Sequence, residues 1–143
     1  MAKNESYYAY VTPDTVKDYY ISAIKEKGGQ SATGRARLCF HNSPDEPLHL
    51  MLIYHDQRTQ VPIHRHEPFG EYIIVLDGAL EVTTYHSDFR RDKSHNICSG
   101  MHPTPYWIPP NVWHSFKFEN PTLFYEISEG PINGKTTYFA DRT

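Results

Sequence analysis

From Arg35 onward, apolar residues recur at every second position in short runs, and this periodicity sets the fold class more firmly than any other feature of the chain. Side chains along a strand alternate between its two faces, so such runs make strands with one face buried. The pattern predicts strands at 35–41, 49–54, 60–66, 71–76, 79–85, 106–108, 112–118 and 122–127. Turn residues separate them: Ser43-Pro44-Asp45, Asp56-Gln57, Asp77-Gly78, Ser87-Asp88, Pro109-Pro110-Asn111 and Glu119-Asn120-Pro121. Asp77-Gly78 between two apolar runs reads as a type I′ hairpin turn, which needs positive φ at both central residues. Short strands at this spacing fold as a sandwich or a barrel, and a jelly roll is one such solution.

One helix precedes the strands. Thr12 suits the N-cap, Pro13 the first helical position, and Asp14 the positive end of the dipole. Val16, Tyr20 and Ile24 follow at helical spacing with Tyr19 and Ala23 beside them, and Gly28 is placed to end the helix as a left-handed C-cap. Residues 1–34 therefore read as a helix with a lead-in segment, and residues 35–143 as the barrel of a single-domain, mainly all-β protein.

Charge and cysteine usage narrow the function. The chain has 143 residues and a formal charge of −3, which argues against a polyanion-binding surface and hence against nucleic acid as partner. Its one basic cluster, Arg90-Arg91-Asp92-Lys93, reads as a solvated turn. Cys39 and Cys98 lie far apart and form no Cys-x-x-Cys pair, so both are expected as reduced thiols. No apolar run is long enough to span a membrane, and the first residues lack a signal-peptide pattern, so a cytoplasmic location is expected.

Four residues carry the clearest chemistry. His64 and His66 are two apart on a predicted strand and so face the same way, with Arg65 opposite. Pro68-Phe69-Gly70 bends the chain, and Glu71 opens the next strand near the same end. His114 follows Pro109-Pro110-Asn111, where Asn111 can take the left-handed conformation, and opens a strand expected across the barrel from the first pair. Three imidazoles and a carboxylate suit one divalent transition metal, such as Fe, Mn, Ni, Cu or Zn, better than Ca or Mg. Such a set leaves a coordination position open for a ligand. His41, His49, His55, His86, His95 and His102 have no partner at useful spacing and read as surface or satisfied core histidines.

These residues resemble the two motifs of the cupin superfamily. In the first, Gly-x5-His-x-His-x3–4-Glu-x6-Gly, the chain matches at His64, His66, Glu71 and Gly78, with Arg58 at the place of the leading glycine. In the second, Pro-x-Gly-x2-His-x3-Asn, Pro109 and His114 match, Asn111 replaces the glycine and Phe118 the asparagine. The stretches 35–41, 62–66, Trp113-His114, 126–131 and Phe139-Ala140 are further similar to the WbuC-type cupin metalloproteins, with Cys39 at a place where much of that family has asparagine. The resemblance implies a double-stranded β-helix, or jelly-roll barrel, with one N-terminal helix and one metal, in a homodimer. It also implies an association with bacterial surface-polysaccharide (O-antigen) synthesis, without naming a reaction.

Other residues could line the site. Arg35 and Arg37 share a face and either grip a phosphate or carboxylate of a substrate or pair with surface acids or a neighbouring subunit. Glu126, if inward, is a general-base candidate and needs a partner such as Arg37; if outward, it is solvated. Tyr54 could stack on a sugar or nucleotide ring, and Phe118 could make one cavity wall apolar. Three functions stay open: a metal-dependent enzyme or binder of a sugar or sugar-phosphate, acting by isomerisation or epimerisation; a non-haem iron dioxygenase of a small chelating substrate; and a non-catalytic metal or ligand sensor. In each, the partner is a small molecule rather than nucleic acid or membrane.

Overall fold

The computed structural model of the protein describes residues 6–8, 18–100, 102–131 and 135–142. Two sheets face each other. The first holds β1 (Ser6–Tyr8), β2 (Arg35–Cys39), β3 (Leu48–His55), β10 (Thr122–Glu129), β5 (Glu71–Asp77) and β8 (Tyr106–Ile108), in that order. The second holds β11 (Thr137–Phe139), β4 (Val61–His66), β9 (Trp113–Lys117), β6 (Ala79–Tyr85) and β7 (Arg91–Cys98). Strands adjacent in sequence repeatedly fall in different sheets, which is the winding of a jelly-roll, the double-stranded β-helix of the cupin fold.

The core between the sheets is built from in-phase residues: Met51 and Ile53 on β3, Ile73 and Val75 on β5, Phe116 on β9 and Phe124 on β10. The opposite face of the first sheet is covered by α1 (Asp18–Gln30), where Ile24 packs against Leu38, Leu52, Tyr54 and Leu123. Central strands of that sheet are thus buried on both faces, which is why β3 reads as the unbroken apolar run Leu50-Met51-Leu52-Ile53-Tyr54. Burying Ile24 and Leu52 contributes about 1.5–3 kcal/mol each.

Several details differ from the sequence expectation. The helix does not stop at Gly28 but runs through Gln30. Gly28 faces Tyr54, and a methyl group there would overlap the tyrosine ring, so this glycine permits close helix–sheet approach rather than a left-handed cap. The helix end is instead held by Arg58, whose Nη1 donates to the Ser31 carbonyl at 3.0 Å and whose Nη2 donates to the Gly29 carbonyl at 3.2 Å and to Asp56 Oδ2 at 2.6 Å. Arg58 occupies the leading-glycine place of the first motif, and this anchoring is its structural use. The expected helix start at Thr12, Pro13 and Asp14, and Val16 after it, lie outside the described residues.

Asp77-Gly78 is not a hairpin. Gly78 has φ of +85° but connects β5 to β6 across the two sheets. The hairpin of this region is β6–β7, closed by the His86 amide on the Arg90 carbonyl at 2.9 Å, with Phe89 at φ of +63°. Its second strand, β7, is not among the expected strands: Arg91-Asp92-Lys93, expected in a solvated turn, begin it, and its side chains are exposed almost throughout and so give no alternation. The three-residue strands β1, paired parallel to β2, and β11, paired antiparallel to β4, lie outside the expected strands. No helix among the described residues is long and apolar enough to cross a membrane.

Candidate metal centre

His64, His66, Glu71 and His114 converge, as their spacing predicts. One ligand atom from each lies within 4.8 Å of all the others. His64 and His66 come from β4 and His114 from β9. His114 is not across the barrel from the pair, as expected from sequence, but is the antiparallel neighbour of His64 in the same sheet. Glu71, at the start of β5, is contributed by the opposite sheet. The Asn111 turn sets this register. Asn111 adopts φ of +66°, its amide donates to the His66 carbonyl at 2.8 Å, and its Oδ1 accepts from Arg65 Nη1 at 2.7 Å.

The imidazoles are held so that one nitrogen of each points outward. His64 Nδ1 contacts the Pro62 carbonyl at 2.8 Å, His114 Nδ1 the Val112 carbonyl at 2.8 Å, and His66 Nδ1 the Thr137 hydroxyl at 3.1 Å. A carbonyl only accepts, so Nδ1 carries the proton in His64 and His114, and Nε2 presents a lone pair to the centre. Glu71 Oε1 lies 3.1 Å from His114 Nε2, and Oε2 lies 3.5 Å from His66 Nε2. At His114 an acceptor therefore faces an acceptor, an arrangement that a proton or a cation relieves; the Thr137 hydroxyl can donate or accept and leaves the His66 tautomer open.

Burial fixes the protonation states. Glu71 is 2% exposed and His114 is 1% exposed. Burial lowers His64 and His66 to about 3, with nearby imidazoles assisting, and it lowers His114 as well. Neutral imidazole is the metal-binding form. Burial raises Glu71 to about 7. Glu126 stands well above the usual carboxylate range through burial and the charge and hydrogen bond of Glu71. The donor set, its pinned outer nitrogens and its lone pairs aimed at one point fit a divalent transition metal.

The cluster opens onto a cavity of about 430 Å³ between the sheets. Arg35, Arg37 and Glu126 line it, together with His64, His66 and Glu71. Two other expected residues do not. Tyr54 lies on the opposite face of β3, packed under α1; both faces of that strand are apolar, so phase alone could not tell inside from outside. Phe118 is buried in the core behind the cavity wall, stacked on Phe124 with ring centroids 6.0 Å apart. Sequence reading passed over His41, His49 and His55, which also line the cavity. Phase groups His49 and His55 with Met51 and Ile53, but on a strand buried on both faces it does not say which group faces the cavity. His41 and His49 stack with centroids 3.9 Å apart.

The sequence matches the family model described as "Domain of unknown function (DUF6016)" over residues 16–97. No curated protein matches it. Solved structures of cupin fold are similar to it. Capsular polysaccharide assembling protein CapF from Staphylococcus aureus superposes with a TM-score of 0.57 at 17% identity, over 72% of this chain and 28% of that one. Oxalate decarboxylase from Bacillus subtilis gives 0.56 at 16% identity, over 74% and 27%. KdgF from Halomonas sp. gives 0.54 at 19% identity, over 74% and 87%. This chain thus spans under a third of the CapF and oxalate decarboxylase chains.

Proposed function

The chain belongs to the DUF6016 family of domains of unknown function, and on that premise we propose that it is a metal-dependent cupin of the WbuC type that acts on a sugar or sugar-phosphate. The observation that carries this reading is the four-residue cluster, with its outer nitrogens pinned and its inner lone pairs turned toward a cavity of about 430 Å³. That volume suits a small molecule. Similarity to CapF, named for capsular polysaccharide assembly, and the WbuC-type resemblance support a role in bacterial surface-polysaccharide synthesis; a homodimer in the cytoplasm is proposed with it on the resemblance alone.

His64, His66, Glu71 and His114 would hold one divalent ion, of Fe, Mn, Ni or Zn. Bound there, it supplies Lewis acidity to carbonyl and hydroxyl oxygens of the ligand. The remaining work falls to the protein. Glu126 hydrogen-bonds to Glu71 and borders the cavity, so its carboxyl group is placed to take up or deliver a proton at a substrate carbon or oxygen. Arg35 and Arg37 bind and orient the substrate through charge-assisted hydrogen bonds. Phe116, packed beside His64 and His114, makes the wall at the reacting end apolar, and Ile53 does so further along the cavity. A proton removed and returned beside a carbonyl is the chemistry of an isomerase or epimerase.

Solvent-deuterium incorporation into candidate sugars and sugar-phosphates, followed by NMR with metal-loaded protein, tests this reading. Exchange at a carbon next to the carbonyl is expected, and Glu126→Gln is expected to lose it while retaining metal. Exchange that survives in Glu126→Gln at the wild-type rate removes the glutamate from the chemistry. Oxygen consumption without exchange replaces the isomerase with a dioxygenase, and metal binding without either leaves a sensor.

A further inference from the structure

We propose that the end of the cavity remote from the metal cluster is a subsite for a phosphate-type dianion, built by His55 with Arg35 and Arg37, and that His55 sets its specificity. The proposal rests on the reading of the cavity as a substrate site and adds a residue that neither motif nor spacing assigns.

Register brings the three together. Arg35 on β2 pairs directly with His55 on β3, and Arg37 pairs with Ile53 two residues away. All three residues point to the inner face and line the cavity. The His55 ring is wedged edge-on against Phe118 and Phe124, at centroid distances of 4.8 and 5.4 Å, so its orientation is fixed by packing. Its Nδ1 is buried and has no hydrogen-bond partner among the described residues. Buried imidazole nitrogens are ordinarily paired; this one is covered by its neighbours, and a ligand oxygen would reach it as the adjacent guanidinium groups turn to the anion. Arg37 is braced by its own Nε, which donates to Ser6 Oγ at 2.7 Å, and its Nη1 reaches the cavity-wall Met51 Sδ at 4.0 Å.

Charge favours an anion. The acid next in sequence, Asp56, is engaged by Arg58 at 2.6 Å. Of the two cavity carboxylates, Glu71 belongs to the four-residue cluster, and Glu126 lies on the Met51 rung, two residues along β3 from the Arg37 rung; Arg37 acts on it electrostatically, but burial and Glu71 outweigh that and hold Glu126 well above the usual carboxylate range. Burial and the two guanidinium groups keep His55 neutral, so it offers a hydrogen bond without a charge of its own. Two guanidinium groups and one imidazole N–H match the three peripheral oxygens of a phosphoryl group better than the two of a carboxylate. Length also follows. The Glu71 rung reaches β3 at His49, so the Arg37 rung lies four residues further, about 13 Å of strand, less the inward reach of the side chains. A hexose-sized ligand with its phosphate at the far end fits that span.

Calorimetric titration of the full-length protein with inorganic phosphate, and with acetate as control, tests the subsite. Wild type is expected to bind phosphate at least tenfold more tightly than acetate. His55→Phe and Arg37→Gln should each weaken phosphate at least tenfold with metal content unchanged, and His55→Gln, which keeps an N–H donor, should recover part of the loss. His64→Ala should lose metal but keep phosphate. Circular dichroism identifies any variant that fails to fold, and the folded ones then decide. Phosphate binding that is unchanged in the folded His55 and Arg37 variants, or no tighter than acetate, overturns the proposal. Binding that disappears with the metal in His64→Ala also overturns it, because the phosphate would then sit on the ion. Metal retained in His64→Ala, with phosphate still sensitive to His55, sinks the metal reading and leaves the subsite standing.

Discussion

Replacing His55 with glutamine should flatten the acid side of the protein's stability profile. Burial, with Arg35 and Arg37 adding to it, lowers the His55 pKa from 6.5 to about 3. The folded-state value lies below the unfolded one, so the stability tied to neutral His55 is fully present above pH 6.5. It drains away as pH falls toward 3, because the unfolded chain takes up a proton that the folded chain refuses. Integrating that difference between pH 8 and pH 5 gives a loss of about 2 kcal/mol from this one residue. Other buried histidines titrate in the same direction, so the wild-type curve alone does not isolate the effect. The difference between wild type and His55→Gln does. Urea denaturation of both proteins at pH 8 and pH 5, at equal salt and without phosphate in the buffer, should show that difference shifting by about 2 kcal/mol in favour of the variant at the lower pH. Parallel curves would mean that His55 protonates as easily folded as unfolded, and the account of it as a neutral, enclosed donor would fail.

Other expectations follow from the same contacts. His64→Ala and His114→Ala should each lower metal content sharply while the far-ultraviolet circular dichroism stays that of a β protein; equal metal in all three proteins by elemental analysis rejects the ligand assignment. Gly28→Ala drives a methyl group into the Tyr54 ring and should cost about 1–3 kcal/mol in chemical denaturation, although alanine is the better helix former; a gain in stability would show that the helix is not pressed on the sheet there. Asn111→Ala places an alanine at φ of +66° and should cost about 1–2 kcal/mol, with Asn111→Gly close to neutral; a loss in the glycine variant as large as in the alanine one would move the role of Asn111 from its backbone to its bond with Arg65.

The convergence of the four-residue cluster was legible because its geometry follows from counting: two residues along a strand return to the same face, so His64 and His66 had to converge if the strand was real. The strands around them were legible for the same reason. What failed had physical causes. β7 gave no alternation because both its faces are exposed. Asp77-Gly78 has the composition of a hairpin turn, but the partners of β5 and β6 lie in different sheets, and pairing is settled by contacts remote in sequence. Tyr54 and His55 are adjacent on a strand buried on both faces, and only the position of α1 shows which side is the cavity. His55 was thereby passed over and Tyr54 put in its place.

The ligand set is divided between the two sheets: three imidazoles stand on β4 and β9, and the carboxylate stands on β5. An ion gripped by all four would act as a rivet through both leaves of the sandwich, much as a disulfide would. Chelation would then do more than silence chemistry. It would let the leaves slide and breathe, and amide hydrogen exchange should quicken first in β5 and β9, where the rivet had passed.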